Sequence, residues 1–375
     1  MKILMCSNSF PPAKGGSQRY SLEVAKHLTA FGQDVVFLTR EQPGAKDFDR
    51  TLLFRVIRKR SKVAQILTFL RLVLFWRPEV IFVTHRADFA ALASFANKSF
   101  GIPYVISVYG GEILHSFRAK SVRKTFARAR KIIAISNFTK SLLVNLGVEE
   151  NKIIVIPCGT DPEKFHPNLN LQPIIRKYGL AGKRVILSVS RLVERKGHAN
   201  VISALPEVLK KVPETVYLII GTGDQEDSLK KRAAELGLKE NVIFAGSVPD
   251  DEIPLCYAAC DIFVMPSFPA QEGENVEGFG IAFLEANSCG KPVIGGKSGG
   301  VEDAIADGKT GIILNPHNIG EIRDAILKLL SDSVLARTMG NAGRERVVSH
   351  YNWKAVSKRI LGVLCTAARK SADSG

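Results

Sequence analysis

The sequence predicts an α/β protein built from two doubly wound domains in tandem. Three observations carry that prediction. The chain has 375 residues, more than one hydrophobic core usually serves. Short apolar runs alternate with helical stretches along most of its length. The alternation lapses once, around residues 157–183, and then resumes. A parallel strand covered by helices on both faces reads as an unbroken apolar run, such as Val80-Ile81-Phe82-Val83, and not as an in–out alternation. Repeated units of this kind make open parallel sheets.

Each element follows from its local residues. Lys2–Ser7 opens the chain as a strand, because Asn8 and the Pro11-Pro12 pair end its apolar run. That run is too short for a signal-peptide core and has no small-residue cleavage site. The loop Pro11–Gly16 leads into a helix over 17–31. Further strands are expected at 34–39, 80–84, 104–108 and 131–135. Pro157, Pro162, Pro167 and Pro173 then mark a linker. Strands return at 185–189, 216–220, 242–245, 262–265 and 292–294, and a long amphipathic helix spans 351–370. The expected division is therefore an N-terminal Rossmann-like domain over 1–167, rejoined by the terminal helix 355–375, and a second over 168–354. The longest apolar stretch, 63–83, is broken by Arg71, Arg77, Pro78 and Glu79. A spanning helix needs about 20 nearly uninterrupted apolar residues, so no transmembrane segment is predicted.

Charge is unevenly placed. Residues 1–165 hold 26 Lys+Arg against 12 Asp+Glu, a net +14, while the rest hold 26 against 24, a net +2. An imbalance of this kind speaks to partners. An anionic membrane surface is the expected partner, with 116–131 as a basic amphipathic helix able to lie on it. Nucleic acid is not expected, because the basic segments lack interleaved stacking aromatics and no nucleic-acid motif is present. The six cysteines are scattered, with no C-x-x-C pair. They suggest neither a zinc site nor a redox dithiol, and they fit a reducing cytoplasm.

Ligands of open parallel sheets bind beyond the C-terminal ends of the strands, so the loops there carry the candidate chemistry. Lys14-Gly15-Gly16-Ser17 opens a helix and can approach an anion, although on its own a plain turn explains it. Arg191 and Lys196 stand at the start of another helix, where cations oppose its dipole unless a diphosphate binds there. Glu277 lies in a loop before a helix over 281–288, where it can meet sugar hydroxyls. Glu285 lies within that helix, in an apolar run where an unpartnered carboxylate is costly, so it needs a partner such as a ribose diol. Gly278-Phe279-Gly280 can present backbone N–H groups to a phosphate or sugar oxygen. Lys297–Asp303 offers a further glycine-lined anion site. Gly221-Thr222-Gly223 reads as an ordinary turn.

Together these residues resemble the retaining glycosyltransferases of family 4, which have the B-type glycosyltransferase fold of two Rossmann-like domains facing across a cleft. The marks are Gly15-Gly16, Ser190-Arg191 with Lys196-Gly197, the E-x7-E pair Glu277 and Glu285, and Gly299-Gly300-Val301-Glu302-Asp303. The wording of 272–280 is similar to bacterial mannosyltransferases that modify phosphatidylinositol and to enzymes of polysaccharide synthesis. The resemblance implies a donor domain at the C-terminus and an acceptor domain at the N-terminus. It implies that Arg191 and Lys196 hold the diphosphate, Glu277 the hexose and Glu285 the ribose. Gly15 and Gly16 would approach the phosphates, Phe279 and Gly280 line the sugar, and the backbone at Val248 hold the base. It implies transfer with retention, without metal or any cofactor beyond the nucleotide-diphosphate sugar. The +14 charge of the N-terminal domain points to a membrane-borne or lipid-linked acceptor at the inner face of the cell membrane. Asp47-Phe48-Asp49 is then a surface loop and not a metal site. One position departs from the family: where members often carry a histidine near the reacting sugar, this chain has Tyr109, with His115 nearby. The rival activities are a sugar-nucleotide epimerase and a non-catalytic nucleotide-sugar binding protein. A dehydrogenase is disfavoured by the missing G-x-G-x-x-G.

Overall fold

In the computed structural model, residues 1–13, 15–85, 87–110, 120–269 and 277–372 are described. The chain divides into two units, one of Met1–Cys158 with Trp353–Gly375, the other of Gly159–Asn352.

The first unit holds strands β1 (Lys2–Ser7), β2 (Asp34–Arg40), β3 (Arg55–Lys59), β4 (Val80–His85), β5 (Tyr104–Val108), β6 (Lys131–Ala134) and β7 (Ile153–Val155). They form one sheet in the order β3-β2-β1-β4-β5-β6-β7, with every pair parallel. Chain order reverses between β1 and β4, so the crevice for a ligand lies beyond their C-terminal ends. Leu4, Ile81, Ile106 and Ile132 line one face of the core. The terminal helix Trp353–Ala372 belongs to this unit and packs on helix Gly16–Ala30. Trp353 meets Tyr20 edge-on at 5.9 Å, and both rings are buried.

The second unit holds β8 (Arg184–Val189), β9 (Thr215–Ile220), β10 (Val242–Gly246), β11 (Ile262–Met265), β12 (Val293–Gly296) and β13 (Gly311–Leu314). Their order is β10-β9-β8-β11-β12-β13, again all parallel. The reversal here falls between β8 and β11. Ile186, Tyr217, Ile219, Val264 and Ile294 anchor its core. Helix starts are set by local chemistry: the Asn318 side chain accepts from the Glu321 N–H at 3.2 Å and caps Ile319–Ser331.

Three strands escaped the sequence reading: β3, β7 and β13. Each is a sheet edge and only partly buried, so no fully buried run marks it. The unit boundary falls at 158/159, with the return at Trp353, whereas the sequence placed them at 167/168 and 355. Within the expected linker, residues 172–178 form a helix closed by Gly179 in the left-handed region at φ 62°. The basic stretch 116–131 needs correction. Of its described residues, Lys120–Arg128 form a helix and Lys131 opens β6, but Phe126 is buried and Val122 packs against the core. That apolar face serves the sheet and is not free for a bilayer. Residues 116–119 lie outside the described residues.

Candidate functional site

The site in the second unit is built where β8 and β11 emerge side by side. The loop after β8 runs Ser190-Arg191-Leu192-Val193-Glu194-Arg195-Lys196-Gly197 and then starts helix His198–Leu209. Gly197 has φ 74°, and a Cβ there would stand 2.2 Å from the Pro266 carbonyl oxygen just after β11. Only glycine lets the two loops lie that close. The Phe268 N–H donates to the Arg195 carbonyl at 2.8 Å and ties them again.

The loop after β8 rests on glycines of the loop after β9, which the sequence alone marks as a plain turn. A Cβ on Gly221 would meet the Ser190 carbonyl oxygen at 1.8 Å, and one on Gly223 the Leu192 oxygen at 2.2 Å. The Leu192 N–H donates to Thr222 O, and the Gln225 N–H to Leu192 O, both at 3.0 Å. Gly221-Thr222-Gly223 is therefore the bed on which the Arg191 loop lies.

The charges meet on Glu277. Its carboxylate accepts from Lys196 Nζ at short range and from Arg195 Nη1 at 3.3 Å. All three side chains are nearly buried, at 13, 11 and 12% exposure for Glu277, Lys196 and Arg195. Burial works against ionisation of Glu277, but Lys196 and Arg195 outweigh it and hold the carboxyl below the usual range. Arg195 was not singled out from the sequence. Nothing in Arg-Leu-Val-Glu-Arg-Lys says which cation turns inward. Arg191, which was singled out, is exposed at the mouth of the loop.

Glu277 is held through its backbone by the loop after β12. The Gly300 N–H donates to the Glu277 carbonyl at 2.8 Å. A Cβ on Gly300 would lie 2.0 Å from the Gly278 oxygen. Gly280, at φ 96°, then turns the chain into helix Ile281–Ser288, which begins and ends where the sequence placed it. Glu285 sits in that helix at 6% exposure. The Phe279 ring is buried at 2% and stacks on Tyr351 at 6.1 Å, so any contact it makes with a ligand comes from its backbone. Val248 is also buried, and the turn before it is fixed by the Gly221 N–H donating to Gly246 O at 2.8 Å. Residues 272–276, which carried part of the motif, lie outside the described residues.

Beneath the Arg191 loop runs a buried polar chain the sequence reading missed. Ser190 Oγ lies 2.9 Å from His198 Nε2, His198 Nδ1 lies 2.9 Å from the Tyr217 hydroxyl, and that hydroxyl lies 2.7 Å from Ser188 Oγ. Ser188 closes the chain on the Val264 carbonyl of β11. Burial, reinforced by the Lys196 charge, pushes His198 down to about 4, so it is neutral at pH 7. Its signal was the appearance of Ser188 and Tyr217 inside otherwise apolar strands.

In the first unit, Gly15 has φ 152°, and a Cβ there would strike Gln18 Oε1 at 2.3 Å. Gln18 donates to Ser9 Oγ at 2.8 Å. A cavity of about 870 Å³ opens beside it, beyond the ends of β1, β2 and β3, lined among others by Ser9, Gln18, Arg40, Arg60, Lys62 and Asp88. Tyr109 turns its ring edge-on to Tyr20 at 5.3 Å, and its hydroxyl is enclosed. His115 lies outside the described residues. Asp49 makes a two-pronged pair with Arg58 at 2.8 and 2.9 Å, and Asp47 meets Arg50 at 3.1 Å. Among the described residues no cluster of His, Cys, Asp and Glu is arranged to hold a metal.

Comparison with known proteins bears on both units. Residues 14–164 match the model of Glycosyltransferase Family 4, and residues 172–346 that of Glycosyl transferases group 1. A GDP-mannose-dependent alpha-(1-6)-phosphatidylinositol monomannoside mannosyltransferase of Mycolicibacterium smegmatis is 30% identical, over 96% of this chain and 98% of that one. Its counterpart in Mycobacterium tuberculosis is 31% identical over 97% and 98%. Among solved structures, HepE of Anabaena in complex with UDP superposes with a TM-score of 0.83 at 20% identity, covering 98% of this chain and 100% of that one. That likeness is one of fold, the two-Rossmann-domain architecture of B-type glycosyltransferases.

Proposed function

Since this chain belongs to the glycosyltransferases of family 4, we propose that it moves a mannose-type hexose from GDP-mannose to a phosphatidylinositol-mannoside-like, membrane-borne acceptor with retention of the anomeric configuration. The observation that carries the site is the buried convergence of Lys196 and Arg195 on Glu277 at the β8/β11 reversal. The printed names of the mycobacterial relatives support the donor and acceptor.

On this reading the donor binds the second unit. Its diphosphate draws on Lys196 and on exposed Arg191, and Glu277 takes sugar hydroxyls. Without donor, Glu277 keeps Lys196 and Arg195 pointed at the place the diphosphate takes. Departure of the nucleoside diphosphate builds negative charge, and preorganised cations in a poorly solvated site lower that barrier without rearranging. Glu285 serves the ribose, the Gly278–Gly280 turn offers backbone donors, and the backbone near Val248 holds the base. No metal takes part, because Lys196 and the arginines supply the positive charge. Gly15, Gly16 and Tyr109 lie in the acceptor-binding unit, which works at an anionic membrane surface on the cytoplasmic side.

The test is transfer of labelled sugar from GDP-mannose, UDP-glucose and ADP-glucose to phosphatidylinositol monomannoside, with and without EDTA. An α-linked mannolipid from GDP-mannose, formed equally in EDTA, is expected. A free epimerised sugar nucleotide with no transfer would instead identify an epimerase, and tight donor binding with no turnover a binding protein.

A further inference from the structure

Large apolar side chains that stay in water concentrate on one helix of the first unit. Helix Lys62–Arg71 continues through a wider π turn, Leu72–Trp76, and stops at Arg77, which has φ 53°. Gln65, Phe69, Leu72 and Val73 are its buried face. On the opposite face Val63, Ile66, Leu67, Leu74 and Phe75 are exposed by 66, 40, 57, 45 and 82%. The spacing from Val63 through Ile66, Leu67 and the half-buried Leu70 to Leu74 is that of one helical stripe. A helix that packs on a core needs one apolar face; this one has two.

The charged residues that this segment itself carries are all of one sign. Arg60, Lys62, Arg71 and Arg77 flank it and are exposed, and no Asp or Glu occurs between Asp49 and Glu79. We propose that the stripe over Val63–Phe75 lies on an anionic bilayer, apolar side chains in the acyl boundary and the four cations among the headgroups. A second copy of the chain fits poorly. A symmetric dimer would set the same four cations against themselves. Arg60, Lys62 and Gln65, at the start of the helix, also line the 870 Å³ cavity, so the cavity opens next to where the helix would meet lipid. The apolar face of 120–128 is used by the core, so the exposed stripe, not that basic helix, is the docking element.

Vesicle binding is read without turnover, so this surface and the transfer reaction proposed above, on which its purpose rests, fail separately. The experiment is flotation of the full chain with phosphatidylglycerol/phosphatidylcholine vesicles and with phosphatidylcholine alone. Leu67→Ser with Phe75→Ser changes only exposed positions and leaves charge unaltered; partitioning should fall about tenfold or more on anionic vesicles. Arg71→Gln should weaken anionic binding by up to about fivefold, an effect that fades in high salt. Circular dichroism and sugar-nucleotide hydrolysis should match the parent chain for both variants. Undiminished flotation of the double serine variant would overturn the proposal. So would a self-association, seen by sedimentation velocity, that this variant abolishes while the parent chain ignores vesicles.

Discussion

Lys196 Nζ and Glu277 Oε2 join the loops that follow two neighbouring strands, β8 and β11, in a nearly buried ion pair. Removing one partner strands the other's charge in a site with little water, which typically costs 3–5 kcal/mol. Lys196→Ala and Glu277→Gln should each lower stability by about 2–4 kcal/mol, with Arg195 softening the first. Replacing both by apolar residues, Lys196→Met with Glu277→Leu, should cost less than the two single changes together. Urea unfolding measures this, and strictly additive losses would show that the pair is not coupled.

Arg191 and Arg195 separate by exposure. Arg191 is in water at the loop mouth, so Arg191→Ala should leave stability within about 0.5 kcal/mol while slowing transfer by about 10²–10³. Arg195→Ala removes a donor to Glu277 and should register in both the melt and the rate. A normal transfer rate for Arg191→Ala would remove it from the diphosphate site.

The glycines of the second unit make a backbone prediction. Gly300 lies against Gly278, and its N–H holds the Glu277 carbonyl. Gly300→Ala must push that segment away, and a displacement near 1 Å can cost about 100-fold in rate. Gly308, with open space around its Cβ position, is the control: Gly308→Asn keeps a residue that tolerates its φ of 70° and should leave the rate unchanged. Equal rates for Gly300→Ala and the parent would show that the approach does not position Glu277.

How far the sequence disclosed all this depended on burial. Central strands such as β8 and β11 announced themselves as apolar runs because helices cover both their faces. β3, Arg-Val-Ile-Arg-Lys, did not, since an edge strand can carry charged residues: Arg55 stays in water and Arg58 pairs with Asp49. Helix Ile281–Ser288 was legible to the residue because glycines frame it. The partners of Glu277 were half legible: Lys196 was named, but Arg195 was passed over for Arg191. In a loop the direction of a side chain is set by tertiary contacts such as Gly197 on Pro266, which no local pattern records. The second apolar face of Lys62–Trp76 was hidden for a similar reason. A run apolar on two faces looks like a buried segment until the fold leaves one face uncovered.

His198 supplies the last prediction, a pH dependence of stability. Its pKa is depressed to about 4 in the folded chain, from the usual 6.5 of an imidazole, mainly by burial. Between those values the unfolded state binds a proton that the folded state refuses, so stability rises with pH and is lost on acidification. The shift corresponds to about 3 kcal/mol, fully present above pH 6.5 and lost progressively as pH falls toward 4. The depressed Glu277 acts in the same direction at lower pH, since its contribution disappears as the solution passes down through its folded pKa. Urea unfolding from pH 8 to pH 4 should therefore show a decline that begins near pH 6.5, well above the carboxylate range. His198→Asn, which has no group titrating there, should flatten the upper part of that decline while retaining the lower part. Because His198 also holds Ser190 next to Arg191, the same variant should raise KM for the donor at pH 7.5, where the histidine is already neutral. An unchanged slope between pH 6.5 and 5 in His198→Asn would show that the buried imidazole is not the titrating group.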